Sequence, residues 1–215
     1  MTSYRRLAGS RPVITDLEVK RSTFRCALTH VTSEGEARAA ITAARRAHHD
    51  AGHHCSAFVL GPLRDQQRSS DDGEPAGTAG IPMLEALLRH GAAAGEPPVT
   101  DVVAVVTRWF GGTKLGAGGL TRAYSESVNQ TLDVARWRLV QQRRLLEATV
   151  AMADLGRVQN VLITEGFTPS DTRFTADSAV LTLAVVDDQD EHLRALLARL
   201  THGTAGVVET GVDWG

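Results

Sequence analysis

Residues 101–122 read DVVAVVTRWFGGTKLGAGGLTR: an apolar run, a charged aromatic step, and a loop with five glycines ahead of an amphipathic stretch. Val102 to Val106, bounded by turn formers, has the pattern of a strand covered on both faces. The glycines that follow have no Cβ, so their N–H groups approach a ligand closely. Leu120, Ala123, Tyr124, Val128, Leu132 and Ala135 recur at helical spacing and predict a helix to about Trp137. A helix opening directly after such a loop adds unpaired donors and partial positive charge, which suits an anion. Arg108 and Lys114 add positive charge beside those donors, and a guanidinium fork with amides fits phosphate oxygens. The loop is not a Walker sequence, because Lys114 lies in mid-loop and no Lys-Ser/Thr closes it; nor is it GxGxxG. The competing reading is conformational, with glycine needed only for a tight strand-to-helix crossover.

Upstream, Val13 to Lys20 and Thr23 to Val31 read as strands joined by a tight turn at Lys20-Arg21-Ser22. Ser33 and Glu36 have capping-box spacing ahead of a helical stripe ending near His49-Asp50. Cys55 to Leu60 is a third strand. Leu63 to Ala79, with almost no apolar residues, reads as a long surface loop. A helix then carries Pro82 in its first turn and Leu84, Leu87 and Leu88 as a stripe, stopped by Gly91.

Downstream, RWRLVQQRR carries Arg136, Arg138, Arg143 and Arg144 without an acidic residue, and the domain boundary is placed there, giving domains 1–138 and 139–215. Strand–helix–strand–strand–helix–strand follows: Leu145 to Met152, a helix capped by Asp154, Phe167 to Phe174, Val180 to Val186, a helix from Asp190 to Thr201, and Ala205 to Val212. That order is the ferredoxin-like split βαβ on an antiparallel sheet. The fold class is α+β in two domains.

Bulk properties narrow the partners. The formal net charge of −2 gives no overall pull towards nucleic acid or anionic membrane, so any such binding rests on a local patch. Cys26 and Cys55, far apart and without CxxC spacing, form neither a disulfide framework nor a zinc ribbon. No apolar span is long enough for a membrane helix, and Met1 to Arg11 lacks a signal-peptide core, so a soluble cytoplasmic protein is expected.

The remaining candidates each have two readings. Asp71, Asp72 and Glu74, around Gly73, offer oxygens to Mg²⁺ or form a solvated acidic loop, and no further ligand is identifiable. A third reading folds the acidic loop onto Arg108 or Lys114, gating the anion site. His48, His49, His53 and His54 suggest a metal, but Gly52 interrupts the helix and no second cluster completes a ligand set; His54 reads better as a polar group at a domain edge. Arg136 and Arg138 meet the dipole at a helix C-terminus, or together with Arg143 and Arg144 line a groove between domains that tracks a phosphate backbone. Trp109 and Phe110 suit base stacking, with one ring expected inside and one outside. No GxSxG elbow or cysteine-nucleophile signature is present.

The run Ser70-Asp71-Asp72-Gly73-Glu74-Pro75-Ala76-Gly77-Thr78-Ala79-Gly80, followed by Arg108-Trp109-Phe110-Gly111-Gly112 and Leu115-Gly116, closely resembles the YigZ/IMPACT family. His53-His54-Cys55 and Asn129-Gln130 also sit where that family has characteristic residues. The resemblance covers essentially the whole chain. It implies an N-terminal domain like the second domain of ribosomal protein S5 and a ferredoxin-like domain after it, two folds that also adjoin in elongation factor G. Eukaryotic relatives are described as translational regulators acting through protein partners and an additional N-terminal domain, for which this sequence shows no counterpart.

The expected function is therefore non-enzymatic binding of RNA or a ribosome-associated partner, without a cofactor or metal. The expected anion and nucleic-acid site comprises Arg108, Trp109, Gly111, Gly112, Lys114, Gly116, Gly118, Gly119 and Arg122. His53, His54, Arg138 and Arg143 are further candidates. The alternatives are a small Mg²⁺-dependent phosphate-handling enzyme built on the acidic loop, and a protein–protein adaptor. Oligomeric state leaves no trace in the sequence.

Overall fold

A computed structural model describes residues 2–215. These residues cluster into two units, Ser3–Val140 and Gln141–Gly215, with Thr2 grouped with the second. In chain order the first unit contains β1 (Ser3–Leu7), β2 (Val13–Val19), β3 (Ser22–His30), α1 (Glu34–Ala47), β4 (His53–Leu60), β5 (Gln66–Ser70), α2 (Gly80–Arg89), β6 (Val102–Trp109) and α3 (Ala117–Val134). Strand β7 (Trp137–Ala151) then leads to α4 (Leu155–Thr164), β8 (Asp171–Phe174), β9 (Ser178–Val185), α5 (Asp190–Leu200) and β10 (Gly206–Trp214).

The first sheet runs β2–β3–β6–β4–β5 with every neighbouring pair antiparallel, so β6 is its middle strand. Side chains alternate across a strand, and both faces of this one are covered. Val103 and Val105 pack with Phe58, Leu60 and Ala37 under α1. Val102, Ala104 and Val106 face the other way, into a larger core with Phe24, Cys55, Met83, Leu87, Tyr124 and Leu132 that α2 and α3 close. That is why an unbroken apolar run, not an alternating one, marks this strand.

Local signals explain the element ends. Ser33 Oγ accepts from Glu36 N–H at 3.2 Å, and the Glu36 carboxylate reaches back to Thr32 N–H at 2.6 Å, a reciprocal cap one residue wider than the usual box. Lys20 and Arg21 both take positive φ, 47° and 67°, the conformation a two-residue hairpin turn needs.

Three expectations change. Residues 63–79 are not all loop: β5 pairs with β4 as an edge strand, and its polar sequence follows from having one solvated edge. Helix α3 opens at Ala117, ahead of Leu120, and closes at Val134, so Arg136 and Arg138 do not lie on it. The arginine-rich stretch is not a linker but part of β7, a strand of 15 residues. Strand β1 lies ahead of the first strand read from the sequence.

The second unit has the sheet order β10–β7–β9–β8, all antiparallel. Fourth–first–third–second is the ferredoxin-like order. Leu146, Ala148 and Val150 of β7 alternate inward with Leu181 and Leu183 of β9, against Val158 and Leu162 of α4 and Leu193 and Leu197 of α5. Asp154 stands at the N-cap of α4 as expected, yet its carboxylate binds Arg157 at 2.6 Å instead of capping an amide.

Candidate anion site and the buried acidic turn

Strand alternation sends Arg108 to the same face as Val106, into the core covered by α2 and α3. Its guanidinium is buried, 6 % exposed, and donates from Nη1 to Glu74 Oε1 at 2.6 Å. Tyr124 O–H donates to the same oxygen at 2.7 Å. The Phe24 ring lies edge-on to Tyr124 and 5.3 Å from the guanidinium, so the charge sits between aromatic rings and one carboxylate. Burial, with Cys55 and Glu74 nearby, drives the Tyr124 hydroxyl far above its ordinary pKa, so it stays protonated and can donate to Glu74. Burial likewise pushes the neighbouring Cys55 thiol up to about 12, and its Sγ donates to Asp71 C=O at 3.0 Å. A thiol held protonated in this way is a poor nucleophile.

The acidic turn is folded into the unit instead of standing in solvent. Asp71 accepts from Gly77 N–H at 2.8 Å through one oxygen, and from Ala79 and Gly80 N–H at 3.0 and 2.8 Å through the other. It thereby caps α2 from nine residues away, where Ala79 at the N-cap has no side chain to do so. Asp72 pairs with Arg45 and accepts from His54 N–H at 2.6 Å. Glu74 completes the set on Arg108. Among the described residues no group of three or more His, Cys, Asp or Glu is arranged to hold a metal ion. The acidic turn does reach Arg108, through Glu74 alone, while Lys114 is left exposed.

The state of Asp71 predicts a pH dependence. Burial pushes its carboxyl up, but the amides of Gly77, Gly80 and Ala79 outweigh burial and hold it below the usual carboxylate range. A depressed folded-state pKa contributes stability that is complete above the unfolded value, about 4, and is lost as pH falls through the folded one. Urea unfolding of wild type should therefore weaken below about pH 4 more than that of Asp71→Asn, which loses about 1–2 kcal/mol at neutral pH. Parallel curves for the two proteins from pH 7 to 2.5 would contradict this role.

The histidines divide. His53 Nδ1 bonds Asp72 C=O at 2.8 Å, and its Nε2 stands 3.9 Å from Glu74 Oε1. His54 is buried inside β4, not at a domain edge, and burial keeps its pKa below the ordinary value. Trp109 is half-buried and fixed by Nε1–H to Asp50 at 2.8 Å, beside His48 and Arg25. Phe110 is 58 % exposed. Neither ring is in the core: Trp109 is half-buried against its partners, and Phe110 is exposed with the Arg108 guanidinium 5.7 Å from its ring centre.

The glycine loop itself stays open. Gly112 and Gly116 take φ of 85° and 71°, turning the chain from β6 into α3 without a side-chain cap. Gly111 N–H donates to Ser22 Oγ at 3.1 Å, and Gly119 and Leu120 N–H both turn back to Gly116 C=O. Among the described residues no protein acceptor meets the amides of Gly112, Thr113, Lys114, Leu115, Gly116, Ala117 or Gly118. Gly111 packs directly on the β2–β3 turn, which brings Lys20 and Arg21 to the loop. Lys20, Arg21, Lys114 and Arg122 are exposed and have no ion-pair partner among the described residues. Lys20 and Arg122 also line a cavity of about 590 Å³ between β2 and α3. The turn cations were missed in the sequence because nothing local links residues 20–21 to residue 111.

Arg143 and Arg144 are already paired with carboxylates. Arg143 pairs with Asp213 at 2.6 Å, and Arg144 with Asp187 and Asp190 at 2.8 and 3.1 Å, all within the second unit. Arg138 is exposed.

Comparison with known proteins places this architecture. Residues 20–132 match the Impact N-terminal domain, and residues 149–204 match a domain of unknown function, DUF1949. The IMPACT family member YvyE of Bacillus subtilis (strain 168) is 36% identical over 197 residues, 90% of this chain and 86% of that protein. The chain belongs to the IMPACT family. The family member YigZ of Escherichia coli (strain K12) is 45% identical over 128 residues, 59% of each chain. A solved structure described as the crystal structure of a hypothetical protein has a TM-score of 0.68 and 32% identity, covering 98% of both chains. No helix of the IMPACT chain is long and apolar enough to cross a membrane among the described residues.

Proposed function

We propose that this IMPACT family member is a non-enzymatic binding protein that engages RNA through the mouth of α3. The observation that carries the reading is the row of amides from Gly112 to Gly118 without protein acceptors, rimmed by Lys20, Arg21, Lys114 and Arg122. Backbone donors at a helix N-terminus and unpaired cations complement phosphate oxygens. Exposed Phe110 beside them supplies a face for a base. The family's association with translational regulation favours RNA over other anions, with a ribosome-associated partner as the setting. Arg108, buried under Glu74, supports the loop from below and does not touch the ligand.

The enzymatic reading has less support, because most of the carboxylate oxygens it needs already accept hydrogen bonds within the fold. Asp71 is spent on amides, Asp72 on Arg45 and an amide, and Glu74 on Arg108 and Tyr124.

A salt titration with a short single-stranded RNA tests the proposal. Each neutralised phosphate lowers log K by about 0.7 per unit of log salt, so engagement of all four cations gives a slope of about −3. Lys114→Ala with Arg122→Ala should flatten that slope to about half. Binding that ignores salt, or a slope the double variant leaves intact, would dismiss the site.

A further inference from the structure

The cavity beside the loop has a composition that phosphate binding alone does not explain. It lies between β2 and the first turns of α3, and its volume of about 590 Å³ is within the range of small-molecule sites and ample for one nucleotide. Leu17, Val19 and Leu115 supply apolar walls, and Lys20 and Arg122 stand at its margin. Glu126 also lines it, one helical turn beyond Arg122, yet the two form no ion pair. Gln130 Nε2 donates to Glu126 Oε1 at 3.2 Å, which orients the carboxylate and leaves its second oxygen uncommitted. Ser125 and Thr121 contribute hydroxyls nearby.

A purely polyanionic ligand would gain nothing from the apolar walls and would be repelled by the carboxylate. A planar heterocycle carrying a phosphate fits all three features. Its faces would lie against Leu17, Val19 and Leu115, its phosphate would meet Lys20 and Arg122, and an N–H-bearing edge would donate to Glu126. Guanine suits a carboxylate best, because N1–H and the exocyclic amino group donate side by side, whereas uracil presents a single N–H between carbonyls.

We infer that this cavity is a nucleotide site selective for a guanine base, taken either as a free nucleoside phosphate or as one unstacked nucleotide of a bound strand. The inference rests on the RNA-binding reading for its phosphate half and adds the base pocket.

The test uses the full chain with guanosine 5′-monophosphate, uridine 5′-monophosphate, inorganic phosphate, and short single-stranded RNAs with and without guanine, followed by calorimetry. The guanine ligands should bind about tenfold tighter than the uracil ligands, as expected for hydrogen bonds to a charged acceptor, and tighter than inorganic phosphate. Glu126→Ala should erase that preference. Thr121→Trp, at an exposed helix position, should block the cavity while circular dichroism stays unchanged. Preference for guanosine monophosphate over uridine monophosphate assigns the free nucleotide; preference seen only between the RNAs assigns the strand. Equal binding of all bases, or indifference to both variants, overturns the base pocket. Salt-steep RNA binding that survives Thr121→Trp would then leave the phosphate site standing alone, whereas its loss in every protein removes both.

Discussion

Arg108→Ala should destabilise the first unit by about 3–5 kcal/mol, the usual consequence of stripping one partner from a buried ion pair. Glu74, 8 % exposed, would keep only the Tyr124 hydroxyl, with His53 Nε2 3.9 Å away. Its desolvated carboxylate would be left buried without a countercharge. Glu74→Ala should cost a comparable amount, since the guanidinium has few other partners. Its Nε already lacks any hydrogen bond, and the Phe24 and Phe110 rings cannot replace an acceptor. Replacing the set with apolar groups, as Arg108→Met, Glu74→Leu and Tyr124→Phe together, should recover most of the loss, because the triad carries its own desolvation cost. Urea unfolding of the variants measures all three quantities. A loss below about 1 kcal/mol for Arg108→Ala would put the pair in the class of exposed ion pairs and deny it this structural role.

The same triad marks the limit of sequence reading here. The apolar run of β6 and the helical stripes of α3 and α5 were legible because burial on defined faces imposes a period on the residues. The ferredoxin-like unit was legible for the same reason, its elements being short, regular and bounded by Gly166 and Gly203 at positive φ. Arg108 was not, because charge in a sequence suggests solvent, and only the inward phase of β6 together with Glu74 from 34 residues away reverses that expectation. Asp71 misleads in a similar way: a carboxylate beside Asp72 looks solvated or metal-binding, yet three amides of a distant helix start consume it. Strand β5 escaped because an edge strand with a solvated face need not be apolar. Arg143 and Arg144 read as a basic linker because their acids, Asp213, Asp187 and Asp190, lie more than 40 residues further on.

Gly111→Ala separates the two readings of the glycine loop. A Cβ at this position would fall far inside contact distance of the Arg21 carbonyl carbon and oxygen and the Ser22 nitrogen. Those atoms are main chain in a turn whose residues already hold positive φ, so they cannot yield as a flexible side chain would. The loop must lift off the hairpin instead, breaking the bond from Gly111 N–H to Ser22 Oγ and carrying the following amides away from Lys20 and Arg21. The expected cost is about 1–3 kcal/mol of stability, as for overpacking elsewhere. RNA affinity at low salt should fall by about tenfold, the equivalent of one charge-assisted hydrogen bond or more. Gly118→Ala is the counterpart: nothing lies within 4 Å of its added carbon, and within α3 alanine is favoured over glycine by about 1 kcal/mol. That variant keeps its amide, so it should be more stable and bind RNA as wild type does. If Gly111→Ala loses stability while its RNA affinity is untouched, the glycines serve only the crossover from β6 to α3. A parallel loss of both in Gly111→Ala, with both preserved in Gly118→Ala, ties the ligand to the position of the amides, because the first change moves the row and the second leaves it where it is.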